Sequence, residues 1–336
     1  MLEVFGRPRT PREAAVLLEA EDPSLFLRHV RGLREMGFLV SEKEASRRLT
    51  RIAAWNGNLA SVYYHVATRD MRFLADGAET ERYLTDDVAA RRRPRRFKTC
   101  DRAEGLALSF TEGPEDSMPL SRALTQRRTV RSFSREKVRL DDLAAVVRGT
   151  WGVTGWIDGG PLGLLAAKTS PSAGALHPVE CYVLAWNVSG LGKGLYHYDV
   201  GADELRRIGG GDPRRSAVRA ASGQSWVGDA AFLCVMTAVF ERTLWKYGGE
   251  NAYRALWLDA GHLAQTFALL ATARGLGPFQ TAAIQDSFLE KLIGLDGVKE
   301  FPLYLCGAGV PRPPAGSVSA RKERAPARSS SRRARA

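Results

Sequence analysis

Four apolar runs, at 179–188, 194–199, 230–239 and 301–307, alternate with helical segments at 214–221, 253–274 and 286–293. The runs are short and rich in Val, Leu, Tyr and Phe, as strands buried in a sheet are. The segment from Tyr253 places Leu256, Ala260, Leu263, Phe267 and Leu270 on one stripe, the spacing of a helix that faces a core. Earlier helices are predicted over Pro119–Arg127 and Leu140–Gly149, where Leu120, Ala123, Leu124 and then Leu143, Val146, Val147 recur at helical spacing. The pattern predicts a mixed α+β fold, a central sheet covered by helices. The long apolar stretch Tyr253–Gly275 is interrupted by Asp259, His262 and Gln265, so it does not read as a membrane span, which needs about 20 apolar residues.

Ahead of this core the signals are weaker. Pro11–Glu19 and Ser24–Gly37 read as helices and Phe38–Val40 as a short strand, a winged-helix-like unit over residues 1–45. Arg28, His29, Arg31 and Arg34 in its second helix read as a solvated face rather than a DNA-reading one. Residues 46–117 hold an aromatic-rich helix at Trp55–Arg69 and then a polar connector, and 314–336 reads as a disordered tail of Arg, Ser, Ala and Pro.

The chain of 336 residues carries 49 Lys+Arg against 37 Asp+Glu, a net charge of +12. Six basic residues and no acid lie between Arg91 and Lys98; eight basic residues and one acid, Glu323, lie from Pro311 onward. Those two segments supply +13, leaving −1 for everything else. The excess belongs to a connector and a tail, and nucleic-acid binding by the folded body is not expected.

Cys100, Cys181, Cys234 and Cys306 are widely separated with no C-x-x-C pair, and three of them lie in apolar runs. They read as free thiols of a protein in a reducing cytoplasm, not as a zinc site. No secretory leader pattern opens the chain. Nucleophile-elbow, Walker and H-E-x-x-H motifs are absent, and the glycine pairs near Gly190 and Gly307 do not complete a dinucleotide fingerprint.

Four segments remain that can carry chemistry. Arg127-Arg128-Thr129-Val130-Arg131 groups three guanidinium groups and a hydroxyl, a donor set suited to phosphate. Ser172, Ala173 and Gly174, within Lys168–Pro178, are small enough to let backbone approach a flat ligand. Lys246-Tyr247 sets a cation beside a phenol after the run that ends at Val239. Gly275–Ile284 is a helix end turning into a strand.

In order, Arg127–Phe133, Pro171–Pro178, Gly194–Asp199, Lys246-Tyr247-Gly248, Leu258–His262 and Gly294-Leu-Asp296 resemble the nitroreductase superfamily. Within it they resemble the SagB/McbC-type dehydrogenases of peptide-modifying gene clusters. The resemblance covers roughly Leu120–Arg312 and implies an FMN domain over 118–313 with a mainly antiparallel sheet flanked by helices. It also implies a homodimer with FMN at the subunit interface, a precursor-peptide substrate and a cyclodehydratase complex as partner. Carried over by position, Arg127, Arg128, Thr129 and Arg131 would bind the FMN phosphate and ribityl chain, with Arg312 a second phosphate ligand. Ser172, Ala173 and Gly174 would line the isoalloxazine, with His177 near it, and Ala282 and Ala283 would lie against its opposite side. Lys246 and Tyr247 match the pair regarded as catalytic in azoline-oxidising members.

The pattern is broken at His177, where the family has tyrosine, and at Gln285, where members often have a small residue. His262 is expected to be a satisfied core histidine and His197 a strand residue. Oxidising an azoline to an azole removes a ring proton and a hydride equivalent, so a base is required beside the flavin. Free tyrosine and lysine titrate near ~10 and ~10.4, and the sequence leaves open which of the two takes the proton. Two other readings stand beside this one. One is a general NAD(P)H-dependent nitro- or quinone reductase, which needs no Lys-Tyr pair. The other is a non-catalytic peptide- or nucleic-acid-binding protein with a degenerate flavin domain, against which intact Arg127-Arg128-Thr129 argues.

Overall fold

A computed structural model of the chain describes residues 10–18, 22–35, 39, 41, 59–68, 77–100, 104–108, 118–249 and 251–312. They fall into two compact units, 1–75 and 76–336. In the first, α1 (Pro11–Leu17) opens on a capping box in which Thr10 and Glu13 satisfy each other's backbone N–H. Ala14 of α1 packs with Phe26 and Val30 of α2 (Pro23–Glu35), and α3 spans Leu59–Ala67. The strand expected at Phe38–Val40 and the tail at 314–336 lie outside the described residues, apart from Leu39.

The second unit is built on a seven-stranded antiparallel sheet of order β1-β8-β7-β5-β9-β11-β10. These strands are β1 (Gly105–Ala107), β5 (Val179–Ala185), β7 (Gly194–Asp199), β8 (Glu204–Gly210), β9 (Phe232–Val239), β10 (Gly277–Thr281) and β11 (Glu300–Gly309). Small pairs flank it: β2 (Val138–Arg139) runs parallel to β6 (Val188–Ser189), and β3 (Val153–Asp158) forms a hairpin with β4 (Leu164–Lys168).

The central strands β5 and β9 are buried almost throughout, which explains their unbroken apolar sequence. Alternate residues feed different layers. Cys181, Val183, Cys234 and Met236 join a core with α6 (Leu140–Trp151) and α9 (Asn251–Ala273). Tyr182, Leu184, Leu233 and Val235 join the other, with α7 (Arg214–Ala220) and α10 (Asp286–Ile293). The stripe predicted on α9 is the surface that packs, with Leu256, Ala260 and Phe267 at most 2% exposed. The three strand cysteines are buried and free.

The basic block at 91–98 departs from expectation. It follows α4 (Gly77–Arg82) and a wide helical turn at Tyr83–Val88, and it is strapped to the sheet unit rather than hanging free. Arg93 donates to the Leu162 carbonyl at 2.6 Å, Arg242 to the Arg95 carbonyl at 2.9 Å, and Lys98 pairs with Glu300 at 2.5 Å. Backbone carbonyls are most of its partners, and these leave no trace in a sequence. Among the described residues no helix is long and apolar enough to cross a membrane.

Candidate active site

The turn between β4 and β5 is held in an unusual conformation. Gly174, Ala175 and His177 all have positive φ, at 62°, 53° and 46°. Two of them are not glycine, so the surrounding contacts must hold the strain. Ser172 Oγ donates to Asp259 Oδ2 at 2.5 Å, Ala173 N–H to Asp259 Oδ1 at 3.2 Å, and His177 N–H to Ser172 Oγ at 2.9 Å. The His177 Nε2 lies 2.9 Å from the Ala166 carbonyl, which can only accept, so this nitrogen carries the proton. Burial, with the nearby charges of Lys168 and Arg242, lowers His177 to about 4, leaving it neutral.

Lys246 and Tyr247 reach the same turn from α8 (Phe240–Lys246), which begins directly after β9. A Cβ at Gly174, which has a φ of 62°, would lie 2.8 Å from Tyr247 Oη and 3.0 Å from Lys246 Nζ, so any larger residue is strained there and displaces the tips of the pair. Lys246 Nζ lies 5.5 Å from the Tyr247 ring centre. Tyr83 donates to the Lys246 carbonyl at 2.7 Å, fixing the end of α8. Burial lowers Lys246, whereas burial, Asp259 and Tyr83 raise Tyr247. Burial likewise raises Asp259. Of the pair, only Lys246 is moved toward accepting a proton at neutral pH.

Beneath α8 lies a buried charge cluster. Glu180 Oε1 is 2.6 Å from Arg242 and Oε2 is 2.9 Å from His197 Nε2. Burial alone would raise Glu180, but Arg242 and His197 hold it well below the usual carboxylate range. Burial would lower His197, but Cys100 and Glu180 hold it up at about 9. Arg242 also donates to the His177 carbonyl at 3.2 Å, tying this cluster to the turn.

The arginine segment forms a second group. It runs beside β10 and β11: Val130 N–H donates to Pro278, Ser134 N–H to Val310, and Arg312 N–H to Ser132. The missing side chain of Gly277 permits this, since a Cβ there would meet Val130 at 2.8 Å. Arg312 is thereby set opposite Ser132, the residue after Arg131. Arg131 lies over the Trp226 ring at 5.5 Å. Arg128 instead donates to the Thr125 and Arg127 carbonyls and caps α5 (Leu120–Gln126). Thr129 is exposed, as are Ala282 and Ala283 just past β10. Among the described residues none of Arg127, Arg128, Arg131 and Arg312 has a carboxylate partner, and the side chains of Arg127, Arg131 and Arg312 make no hydrogen bond, an open donor set that fits a phosphate.

The sequence shows Asp259 within a motif but not its bond to Ser172, and it does not show the Arg242–Glu180–His197 cluster. The signal for the latter was present: one acid at the start of an otherwise apolar strand has to be paired. His197 is a strand residue, as expected, but an ionised one. His262 is not a core histidine; it is exposed on α9 and contacts the Pro171 carbonyl at 3.2 Å. Gln285 opens α10, its N–H donating to the Ala220 carbonyl. Among the described residues no cluster of His, Cys, Asp or Glu could hold a metal ion.

The chain is similar to known proteins. The sequence profile described as the Nitroreductase family matches residues 124–310. The nitroreductase-like protein MJ1384 of Methanocaldococcus jannaschii is 30% identical over 58% of this chain and 92% of its own length. The trifolitoxin operon protein TfxC of Rhizobium leguminosarum bv. trifolii is 24% identical over 86% of this chain and 82% of its own. The microcin B17-processing protein McbC of Escherichia coli is 30% identical over 40% of this chain and 51% of its own. Among solved structures, a nitroreductase-like protein from Anabaena variabilis superposes with a TM-score of 0.58 at 24% identity, over 74% of this chain and 47% of that one, about half its length. The sheet, its covering helices and the matched span agree: this chain belongs to the nitroreductase family.

Proposed function

We propose that this nitroreductase-family oxidoreductase is an FMN-dependent dehydrogenase that oxidises azoline rings to azoles in a ribosomally made precursor peptide. The observation that carries this reading is the Lys246–Tyr247 pair seated on Gly174, with burial pushing Lys246 down. Similarity to a microcin-processing protein supports the peptide substrate.

Arg127, Arg131 and Arg312 would hold the FMN phosphate, with Arg128 ordering the segment and Thr129 serving the ribityl chain. Ser172, Ala173, Gly174 and His177 would line one side of the flavin and Ala282 and Ala283 the other. Bound FMN supplies a hydride acceptor. The chain supplies the rest. Lys246, which burial moves toward its neutral form, takes the ring proton at Nζ. Tyr247, kept protonated, donates a hydrogen bond and orients the ring. Asp259 fixes the turn on which both rest.

A second copy of the chain completes the site in this reading. Leu120 and Leu124 on α5 and Trp257 and Leu258 on α9 are 65%, 50%, 44% and 58% exposed, an apolar face of the kind a homodimer covers. The azoline itself must come from a cyclodehydration, so a cyclodehydratase is the expected partner. Resemblance to nitroreductase-like MJ1384 favours a second reading, reduction of nitro or quinone compounds by NAD(P)H. Mass spectrometry of a thiazoline peptide incubated with FMN-loaded protein separates them. Loss of two hydrogens is expected; an unchanged peptide beside rapid NADH oxidation would favour the second.

A further inference from the structure

Five arginines, Arg91, Arg92, Arg93, Arg95 and Arg96, stand within six residues without an acid among them. Among the described residues none is ion-paired; Lys98, the block's remaining cation, takes Glu300. Burial and the repulsion of Arg96 together lower Arg93, the mark of charge gathered without compensation.

The fold nonetheless holds this charge in place. Arg91, Arg93 and Arg96 lie over the rings of Tyr83, Trp245 and Trp156 at 5.9, 5.0 and 4.9 Å. Stacking uses the guanidinium faces, and in-plane N–H groups of the three donate to the carbonyls of Trp245, Leu162 and Leu164, so these arginines are fixed in place while their charge stays uncompensated. Arg92 and Arg95 are exposed, and among the described residues their side chains make no hydrogen bond. Arg95 also faces a cleft of about 350 Å³ that Lys98 and Lys299 line, together with the carboxylates of Glu241 and Asp296.

The position of the block decides its meaning. Arg91 donates to the Trp245 carbonyl at 3.2 Å, next to the Lys246 carbonyl that Tyr83 holds. From there the block leads to the β3–β4 hairpin, where Trp156, Ile157 and Leu164 are 51%, 50% and 57% exposed. A cationic path thus runs from the Lys246–Tyr247 pair to an apolar patch. A phosphate backbone would call for a broader positive face, and outside this block and the tail the chain sums to −1.

We propose that Arg91–Arg96 is a docking track for an acidic segment of the peptide that presents its ring to Lys246 and Tyr247. Carboxylates of that segment pair with Arg92 and Arg95, and its apolar side chains meet Trp156 and Ile157. The proposal rests on the peptide substrate argued above and names its class: a peptide with Asp or Glu near the modified ring.

The test uses two fluorescent thiazoline peptides, one with Asp and Glu flanking the ring and one with Asn and Gln there. Anisotropy titration against the full-length, FMN-loaded protein and its Arg92→Gln/Arg95→Gln variant reads binding without turnover. The acidic peptide is expected to bind the parent about tenfold more tightly, an advantage lost in the variant and at high salt. Equal binding of both peptides by the parent, or a preference the variant retains, overturns the track. So does a single-stranded oligonucleotide that binds more tightly than the acidic peptide and depends on the same two arginines. Unchanged thermal melting confirms that the variant folds. Product mass is read in the same samples. An acidic preference without oxidation counts against the chemistry and leaves the track standing, and oxidation without preference counts against the track alone.

Discussion

Ser172 and Asp259 are joined across 87 residues by a hydrogen bond of 2.5 Å, and the same carboxylate accepts the N–H of Ala173. One buried acid on α9 therefore braces the turn on which Lys246 and Tyr247 rest. Asp259→Ala leaves a hydroxyl and an N–H without their acceptor and should cost about 1–3 kcal/mol. Asp259→Asn, which can accept one bond and donate the other, should cost less. Thermal denaturation of both variants measures this, and equal melting of Asp259→Ala and the parent would remove the brace.

Gly174 tests the seat of the pair. Alanine there must adopt a φ of 62° and would press on Tyr247 Oη at 2.8 Å. Gly174→Ala is expected to lower kcat at least about tenfold, because misplacement on this scale is costly in a positioned site. Its melting temperature should fall only slightly. A variant with parental kcat would show that the contact at Gly174 does not set the geometry.

The arginines divide by what they already do. Arg128 turns one nitrogen to the carbonyls of Thr125 and Arg127, whereas among the described residues the Arg131 side chain lies above Trp226 without a hydrogen bond. Equilibrium titration with FMN should therefore show Arg131→Ala weakening binding about tenfold or more, with a smaller loss for Arg128→Ala. The reverse order would move the phosphate site toward Arg128.

His197 gives the fold a dependence on pH. Its folded value, about 9, lies above the ordinary imidazole value near ~6.5. A raised value means that the stabilisation is complete below about pH 6.5 and is lost as pH rises through about 9. Glu180, held low, contributes in the opposite sense: its stabilisation is present above the usual carboxylate range and lost in acid. The unfolding free energy, read by urea titration from about pH 6 to about pH 9, should fall for the parent by on the order of 3 kcal/mol. His197→Gln should be lower throughout but flatter over that interval. A slope shared by both proteins would assign it to other groups.

The sheet was legible because β5, β7, β9 and β11 are buried runs whose apolar character survives without knowledge of the partner strand. Gly194–Asp199 was placed to the residue. β8 was missed because its residues, Glu204–Gly210, include the adjacent Arg206 and Arg207 and end in glycines. The two site groups were legible as motifs, but what holds them was not. Asp259 meets Ser172 only through the packing of α9 against the turn. The block at Arg91–Lys98 read as an appendage because its anchors are the carbonyls of Leu162 and Trp245 and the rings of Tyr83, Trp156 and Trp245.

Anaerobic mixing of FMN-loaded protein with a thiazoline peptide, followed by visible flavin absorbance and product mass, tests the Lys246 assignment most directly. The parent should bleach as the peptide loses two hydrogens. Lys246→Arg, a cation unable to act as a base, should remain yellow and bleach about 10²–10⁴-fold more slowly while binding the peptide as well as the parent does. Bleaching of the variant at the parental rate would contradict the account, as would a parent that bleaches with NADH but never with the peptide.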